Sequence, residues 1–302
     1  MTSIAPTVPD VRSVDHDSRV TIAELRAGGE VDGVFACTRK DRLTARNGTP
    51  YLAVELRDRT GAIPGRAFRD ADFLAGQFER GDLVSVKGRV ERFRDELQVD
   101  LRAIQAAEAD PSEFLPVAYR DMEELDGFLE HLAREVHDPH MAGLLTAFLD
   151  DTSFREELRR APCTRAGHHA YLGGLMEHTV AVTTLAQESC VLHPRLNSDV
   201  LLTSAIVHDF GKTREFQLGA EIALSDAGEL LGHVVIGQQM VTDRARALGV
   251  PDNKLHAVVH CLLAHHGPEG LPGRRFRSPE ALALYRLNAL DAGIKGALEQ
   301  GL

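Results

Sequence analysis

The stretch SDVLLTSAIVHDFGK, residues 198–212, decides how the chain is to be read. Over Ser198–Phe210 apolar residues recur at helical spacing, and the helix ends on two ionisable side chains that share its apolar face. His208 follows Leu201 and Ala205, while Asp209 follows Leu202, Ala205 and Ile206. A single histidine on such a face is ordinarily a core histidine bonded to a carbonyl. An inward aspartate asks for more, because an uncompensated buried carboxylate costs several kcal/mol or takes up a proton. Lys212 is the only base near it in sequence.

Outward from this stretch the pattern repeats. His178 shares a helical stripe with Tyr171, Leu175, Val182 and Leu185, and His233 precedes Ile236 and Met240. His265 and His266 follow Leu262, and Asp291 lies with Leu284, Leu287, Ile294 and Leu298. Ten of the fourteen histidines fall between His168 and His266. Five inward histidines and two inward aspartates satisfy one another most economically through bound cations. Seven donors exceed one ordinary site, so two adjacent ions sharing Asp209 are expected, a pair that supplies a hydroxide nucleophile and hydrolyses phosphate esters. Imidazole with carboxylate suits manganese, iron, nickel or zinc, with magnesium also admissible. The four cysteines (Cys37, Cys163, Cys190, Cys261) stand far apart without a CxxC pair, which speaks for a reducing cytoplasm and against a thiolate zinc site.

Beyond Ala109 the period is helical throughout. Helices are expected over Asp121–Val136, Pro139–Asp150, Ser153–Arg160, Ala170–Val191, Ser198–Phe210, Glu229–Leu248, Asp252–His266 and Pro279–Leu298, with Gly211, Gly249 and Gly267 as C-terminal caps. From about Val31 to Ile104 the period is two instead: Leu52, Val54 and Leu56 alternate with polar or small neighbours, as do Leu97, Val99 and Leu101. Five strands with one short helix at Asp70–Glu79, between the third and fourth, describe a small all-β barrel of the OB type. The fold class is therefore multidomain. Residues 1–18 form a tail, 19–108 an OB barrel that binds nucleic acid, 109–160 a linker with connecting helices, and 161–302 an all-α metal-dependent domain.

Charge follows the same division. Val20–Ala107 holds 15 basic and 14 acidic residues, while the rest of the chain holds 19 basic and 31 acidic ones, so cation-binding chemistry belongs to the second half. No apolar run reaches the length of a membrane-spanning helix, and the N-terminal residues lack a secretory pattern. No membrane partner is expected. Between the first two strands Arg39, Lys40, Arg42 and Arg46 make a basic run. Tyr51, opposite Leu52 and Val54, is the stacking candidate for bases, whereas Phe35, Phe68 and Phe93 are expected in the core.

Five blocks in order make a specific resemblance: His168–Thr179 (HHAYLGGLMEHT), His208–Lys212 (HDFGK), Gly232–Gly237 (GHVVIG), Ala264–Gly267 (AHHG) and Leu290–Ala292 (LDA). The HD string with His178 upstream and Asp291 downstream resembles the HD phosphohydrolase superfamily. The blocks together with the OB-like front half resemble the YhaM-type 3′→5′ exoribonucleases over about Thr21 to Ala297, cytoplasmic bacterial enzymes that need manganese. The resemblance implies that His178, His208, Asp209 and Asp291 hold one metal, and that His233, His265 and His266 hold a second with Asp209 bridging. It also implies that Lys212 faces the phosphate, that single-stranded RNA or DNA 3′ ends are the partners, and that the chain is a homo-oligomer. The stretch Pro268–Ser278 departs from the family's usual segment, and there Arg274 and Arg275 are candidates to grip phosphates. The cyclic-dinucleotide GYP element is absent after Gly267. The expected activity is trimming of single strands to nucleoside 5′-monophosphates, against two alternatives: hydrolysis of a small nucleotide, or binding of single strands without catalysis.

Overall fold

Alternation in the front half and helical periodicity in the rear half produce two units, Met1–Ala109 and Asp110–Leu302. The computed structural model describes residues 20–45, 48–299 and 301. The expected tail and Arg46 lie outside the described residues.

The first unit is a closed five-stranded barrel in the order β1-β2-β3-β5-β4, formed by β1 (Glu30–Thr44), β2 (Pro50–Asp58), β3 (Gly61–Ala67), β4 (Leu83–Phe93) and β5 (Glu96–Ala106). Neighbouring strands are antiparallel except β3 and β5, which close the barrel in parallel through Gly65↔Val99 and Arg66↔Asp100. Strand alternation explains the interior: Leu52, Val54 and Leu56 of β2 point inward beside Val84, Val86 and Val90 of β4. The short helix α1 (Ala71–Ala75) adds Leu74 and Ala75 to that core.

Three expectations for the barrel change. Residues 38–44 belong to the fifteen-residue β1, paired with β2 (Arg39↔Glu55 through Thr44↔Pro50), and do not form a loop. Lys40 is therefore not a free phosphate contact: its ammonium donates to Phe78 O at 2.5 Å and pairs with Glu79 at 3.0 Å, with the side chain largely covered. Of Phe35, Phe68 and Phe93, Phe35 alone is core, at 2% exposure. Phe68 and Phe93 are 47% and 44% exposed.

The second unit is helical: α2 (Met122–Arg134), α3 (Pro139–Leu149), α4 (Thr152–Arg160), α5 (Gly174–Leu192), α6 (Ser198–Val207), α7 (Lys212–Glu215), α8 (Asp226–Ala247), α9 (Asp252–Ala264) and α10 (Pro279–Glu299). Helix starts follow from capping chemistry. Asp121, Asp138, Asp151, Asn197 and Ser225 each accept backbone N–H groups of the first turn, worth about 1 kcal/mol apiece. The helices expected as connectors (α2 to α4) pack into the same core as the rest, through Leu125, Leu129, Phe148, Phe154 and Leu158 against Leu175, Leu201 and Phe210. Buried Asp126 ties α2 to α4 by accepting from Arg155 at 2.9 Å and Arg159 at 2.7 Å.

Two features go beyond the periodic pattern. A small hairpin, β6 (Phe216–Leu218) with β7 (Ile222–Leu224), follows α7. Helix α5 starts at Gly174, not near Ala170, so 163–173 is a loop that carries His168 and His169. The Asp291 stripe is also only partly inward: Leu284 is fully buried, yet Ile294 and Leu298 are 54% and 65% exposed.

Candidate metal centre

The C-terminal end of α6 delivers His208 and Asp209 into the interior, both 1% exposed. The chain does not stop there as a C-capping glycine would require. Gly211 has φ −60° and leads directly into α7, and a Cβ at this position would overlap the backbone carbonyl of His233. Its missing side chain thus lets α8 approach the Asp209 loop. Helix α8 is itself broken at Gly232 (φ 69°, ψ 160°), a conformation suited to glycine. The break turns His233 so that its backbone N–H and its Nδ1 both donate to Glu215 Oε1 at 3.0 Å.

Around Asp209 the imidazoles are aimed by their outer partners. His208 Nδ1 donates to Ala205 O at 2.8 Å and His265 Nδ1 donates to Leu262 O at 2.6 Å. With Nδ1 of these rings and of His233 engaged, Nε2 is left facing the carboxylate. His208 and His178 Nε2 stand 3.3 and 3.6 Å from Asp209 Oδ2, and His233 and His265 Nε2 stand 3.5 and 3.4 Å from Oδ1. His266 Nε2 lies 2.9 Å from His233 Nε2. Lys212 Nζ donates to Asp209 Oδ2 at 2.6 Å.

Donor atoms of Asp209, His233, His265 and His266 fall within 4.8 Å of one another, as do those of His178, His208 and Asp209. Asp291 does not join the latter group. Its Oδ2 accepts from His178 Nδ1 at 2.6 Å and His169 Nε2 at 3.1 Å, on the imidazole edge of His178 away from His208. Asp291 falls instead in a group with His169 and His178, whose donor atoms also lie within 4.8 Å of one another, and His178 stands between it and Asp209. Arg274 and Arg275 are exposed on the loop before α10, outside these groups.

Burial opposes charge throughout this cluster, and its partners decide each outcome. Burial alone would raise the Asp209 carboxyl, but Lys212 and His208 hold it well below the usual carboxylate range. Asp291 is likewise held down, against burial, by His169 and His178. Burial pushes His178 down to about 4, so its ring is neutral and able to ligate. Lys212 stays protonated because Asp209 outweighs its burial.

Whether a cation fits can be judged from unsatisfied atoms. Asp209 Oδ1 and His265 Nε2 are buried without a hydrogen-bond partner, and a missing ion is a standard reason for such orphans. Their separation of 3.4 Å, with His233 Nε2 beside them, fits a nitrogen- and oxygen-ligated divalent cation. A cavity of about 500 Å³ adjoins the cluster, lined by Lys212, His233, His265, His266, Tyr285 and Asn288 among others.

Three side chains at the site have no place in the periodicity. His169, 1% exposed, bonds Asp291 and is itself held by Tyr171, whose hydroxyl lies 2.9 Å from Nδ1 and donates to Glu177 at 2.6 Å. Glu215 orients His233. Cys163, set aside with the other cysteines, is fully buried at the centre: Lys212 Nζ donates to its Sγ at 3.4 Å, and His168 Nε2 lies 3.9 Å away. Burial pushes this thiol up to about 12. The His168-His169 pair ahead of the α5 histidine was the available signal for the loop.

In the barrel, Tyr51 stacks on Phe68 with ring centroids 5.0 Å apart and an interplanar angle of 24°. Phe93 is flanked by the guanidinium groups of Arg66 and Arg94, each 5.2 Å from the ring centroid. Arg39 and Arg42 are mostly exposed and pair with Asp41 and Asp72.

Comparison with known proteins agrees with this division. Residues 29–106 match the OB-fold nucleic acid binding domain family and residues 175–293 match the HD domain family. A protein from Oceanobacillus iheyensis named 3′-5′ exoribonuclease YhaM is 27% identical over 82% of this chain and 78% of its own length. One of the same name from Shouchella clausii is 27% identical over 90% of this chain and 86% of its own. Among solved structures, the second OB-fold domain of replication protein A from Methanococcus maripaludis matches 30% of this chain and 96% of that one, at 27% identity and a TM-score of 0.23. The chain thus carries an OB-fold module followed by an HD domain, and along most of its length it resembles the YhaM-type 3′→5′ exoribonuclease family.

Proposed function

We propose that this chain is a metal-dependent 3′→5′ exoribonuclease that trims single-stranded RNA, and secondarily single-stranded DNA, to nucleoside 5′-monophosphates. It would act in the cytoplasm as a homo-oligomer, as the family resemblance implies. The observation that carries the reading is the pair of donor groups that share buried Asp209 beside an open cavity, in a chain that also carries an OB barrel.

His178, His208 and Asp209 would hold one divalent cation, with Asp291 and His169 fixing the His178 ring. Asp209, His233, His265 and His266 would hold the other, with Glu215 fixing His233. Manganese is the proposed metal. Two such cations supply Lewis acidity at a phosphodiester and a nucleophile at neutral pH. The protein's own residues do the rest. Lys212 lines the cavity and keeps its positive charge where negative charge gathers on the non-bridging oxygens. The Tyr51–Phe68 pair offers a base-stacking platform, and exposed Arg39 and Arg42 offer backbone charge.

Digestion of 5′-labelled RNA oligomers with Mn²⁺, with chelator as the control, tests the proposal. Stepwise shortening from the 3′ end with release of nucleoside 5′-monophosphates is expected. Inertness on every single strand refutes it. Faster turnover of free nucleotides than of oligomers would favour the small-nucleotide alternative. Metal-independent binding without cleavage, unchanged by His208→Ala, would favour the binding-factor alternative.

A further inference from the structure

Nothing in the proposed reaction uses Cys163, although it is the softest donor at the centre. Its Sγ lies 3.9 Å from His168 Nε2, and the donor atoms of Cys163, His168 and His178 all lie within 4.8 Å of one another. Sulfur and nitrogen bound to one tetrahedral cation stand roughly 3.5 Å apart, so closure needs a shift of a few tenths of an ångström. The loop is already held in that shape. Cys163 N donates to His169 O at 3.1 Å, and Thr164 Oγ1 donates to His168 O at 2.7 Å. Cys163 and His168 also line the same cavity, which gives a cation a route in. Burial keeps the thiol protonated despite the Lys212 ammonium 3.4 Å from Sγ, so an incoming cation must displace that proton.

We propose that Cys163, His168 and His178 form a further, thiophilic metal site, apart from the two hydrolytic ones, for a soft divalent cation of the Zn²⁺ or Cd²⁺ class. Its occupation draws His178 away from His208 and Asp209 and silences the hydrolytic centre. On binding, the thiol proton passes to solvent and a sulfur lone pair goes to the cation; no electron transfer is involved. The silencing half rests on the nuclease reading, but the binding half does not.

The test uses the full chain titrated with Co²⁺ as a spectroscopic probe. A thiolate-to-cobalt charge-transfer band in the near ultraviolet is expected, lost in Cys163→Ser and kept in Cys261→Ser. Should Cys163→Ser fail to fold, His168→Gln decides: the band should then need at least the roughly 10–100-fold more cobalt that losing even an outer-sphere partner costs. Absence of the band in the parent, survival in Cys163→Ser, or indifference to His168→Gln overturns the site. In Mn²⁺-driven RNA digestion, Cys163→Ser should require at least about tenfold more Zn²⁺ for half-inhibition, and equal inhibition overturns the silencing. If the parent cleaves no RNA, the nuclease reading fails while the cobalt band still judges the site.

Discussion

Replacing Asp209 by asparagine tests the electrostatic core of the site without any metal present. The substitution preserves shape, so no cavity arises; what changes is that Lys212, 6% exposed and 2.6 Å from the carboxylate, loses its counter-charge. Removing one member of a buried pair typically costs about 3–5 kcal/mol. A second route bounds the figure. The stranded ammonium can shed its proton, and neutralising a lysine of ordinary pKa at about pH 7.5 costs about 4 kcal/mol. Asp209→Asn in chelator should therefore destabilise the helical unit by about 3–4 kcal/mol. Lys212→Met restores a neutral pair, so the double variant should recover at least about 2 kcal/mol of that loss. Urea unfolding followed by far-ultraviolet circular dichroism is the assay, since the chain has no tryptophan to report fluorescence. A cost below about 1 kcal/mol for Asp209→Asn, or simple additivity in the double variant, would show that the pair does not govern the site.

Removing the partner of Asp291 gives a second check. His169→Ala should weaken Mn²⁺ binding by roughly 10–100-fold in calorimetry, His169→Gln should regain part of it, and an unchanged affinity in the alanine variant contradicts the positioning role. For pH, the unfolded chain protonates His178 near its ordinary 6.5 while the folded ring stays neutral to about 4. The metal-free protein should accordingly lose up to about 3 kcal/mol between those values through this group alone. The decline should flatten in His178→Gln; the same slope in both proteins rules the assignment out. On the barrel, Tyr51→Ala should cost about 1–3 kcal/mol in oligonucleotide affinity, measured by anisotropy at fixed salt, with the fold intact. Phe35→Ala should instead unfold the barrel by about 3–5 kcal/mol, read as a lowered melting temperature, and a stable Phe35→Ala protein would contradict its place in the core.

How far the sequence carries depends on whether a position is decided by its own element or by another one. Leu52, Val54 and Leu56 face inward because strand alternation leaves no choice, and His208 and Asp209, directly after the last turn of α6, continue inward from its apolar face. Both were legible. Lys40 was not, because its ammonium is captured by Phe78 and Glu79, some forty positions away and brought close only by barrel closure. Phe68 sits in the alternating half yet is exposed, since β3 ends at Ala67 and alternation ends with it. At the centre the hidden members are those outside regular structure or acting through another side chain. His169 lies in a loop where no stripe exists to place it, and Glu215 matters only because the chain breaks at Gly232 and offers it His233. Asp291 shows the limit most sharply. A stripe containing exposed Ile294 and Leu298 marks its helix, but only the fold brings it to the Nδ1 edge of His178, opposite the Nε2 edge that faces Asp209. A donor set read from spacing is thus a list of candidates for one neighbourhood, and the division into ligands and the groups that aim them comes from where each imidazole spends its other nitrogen.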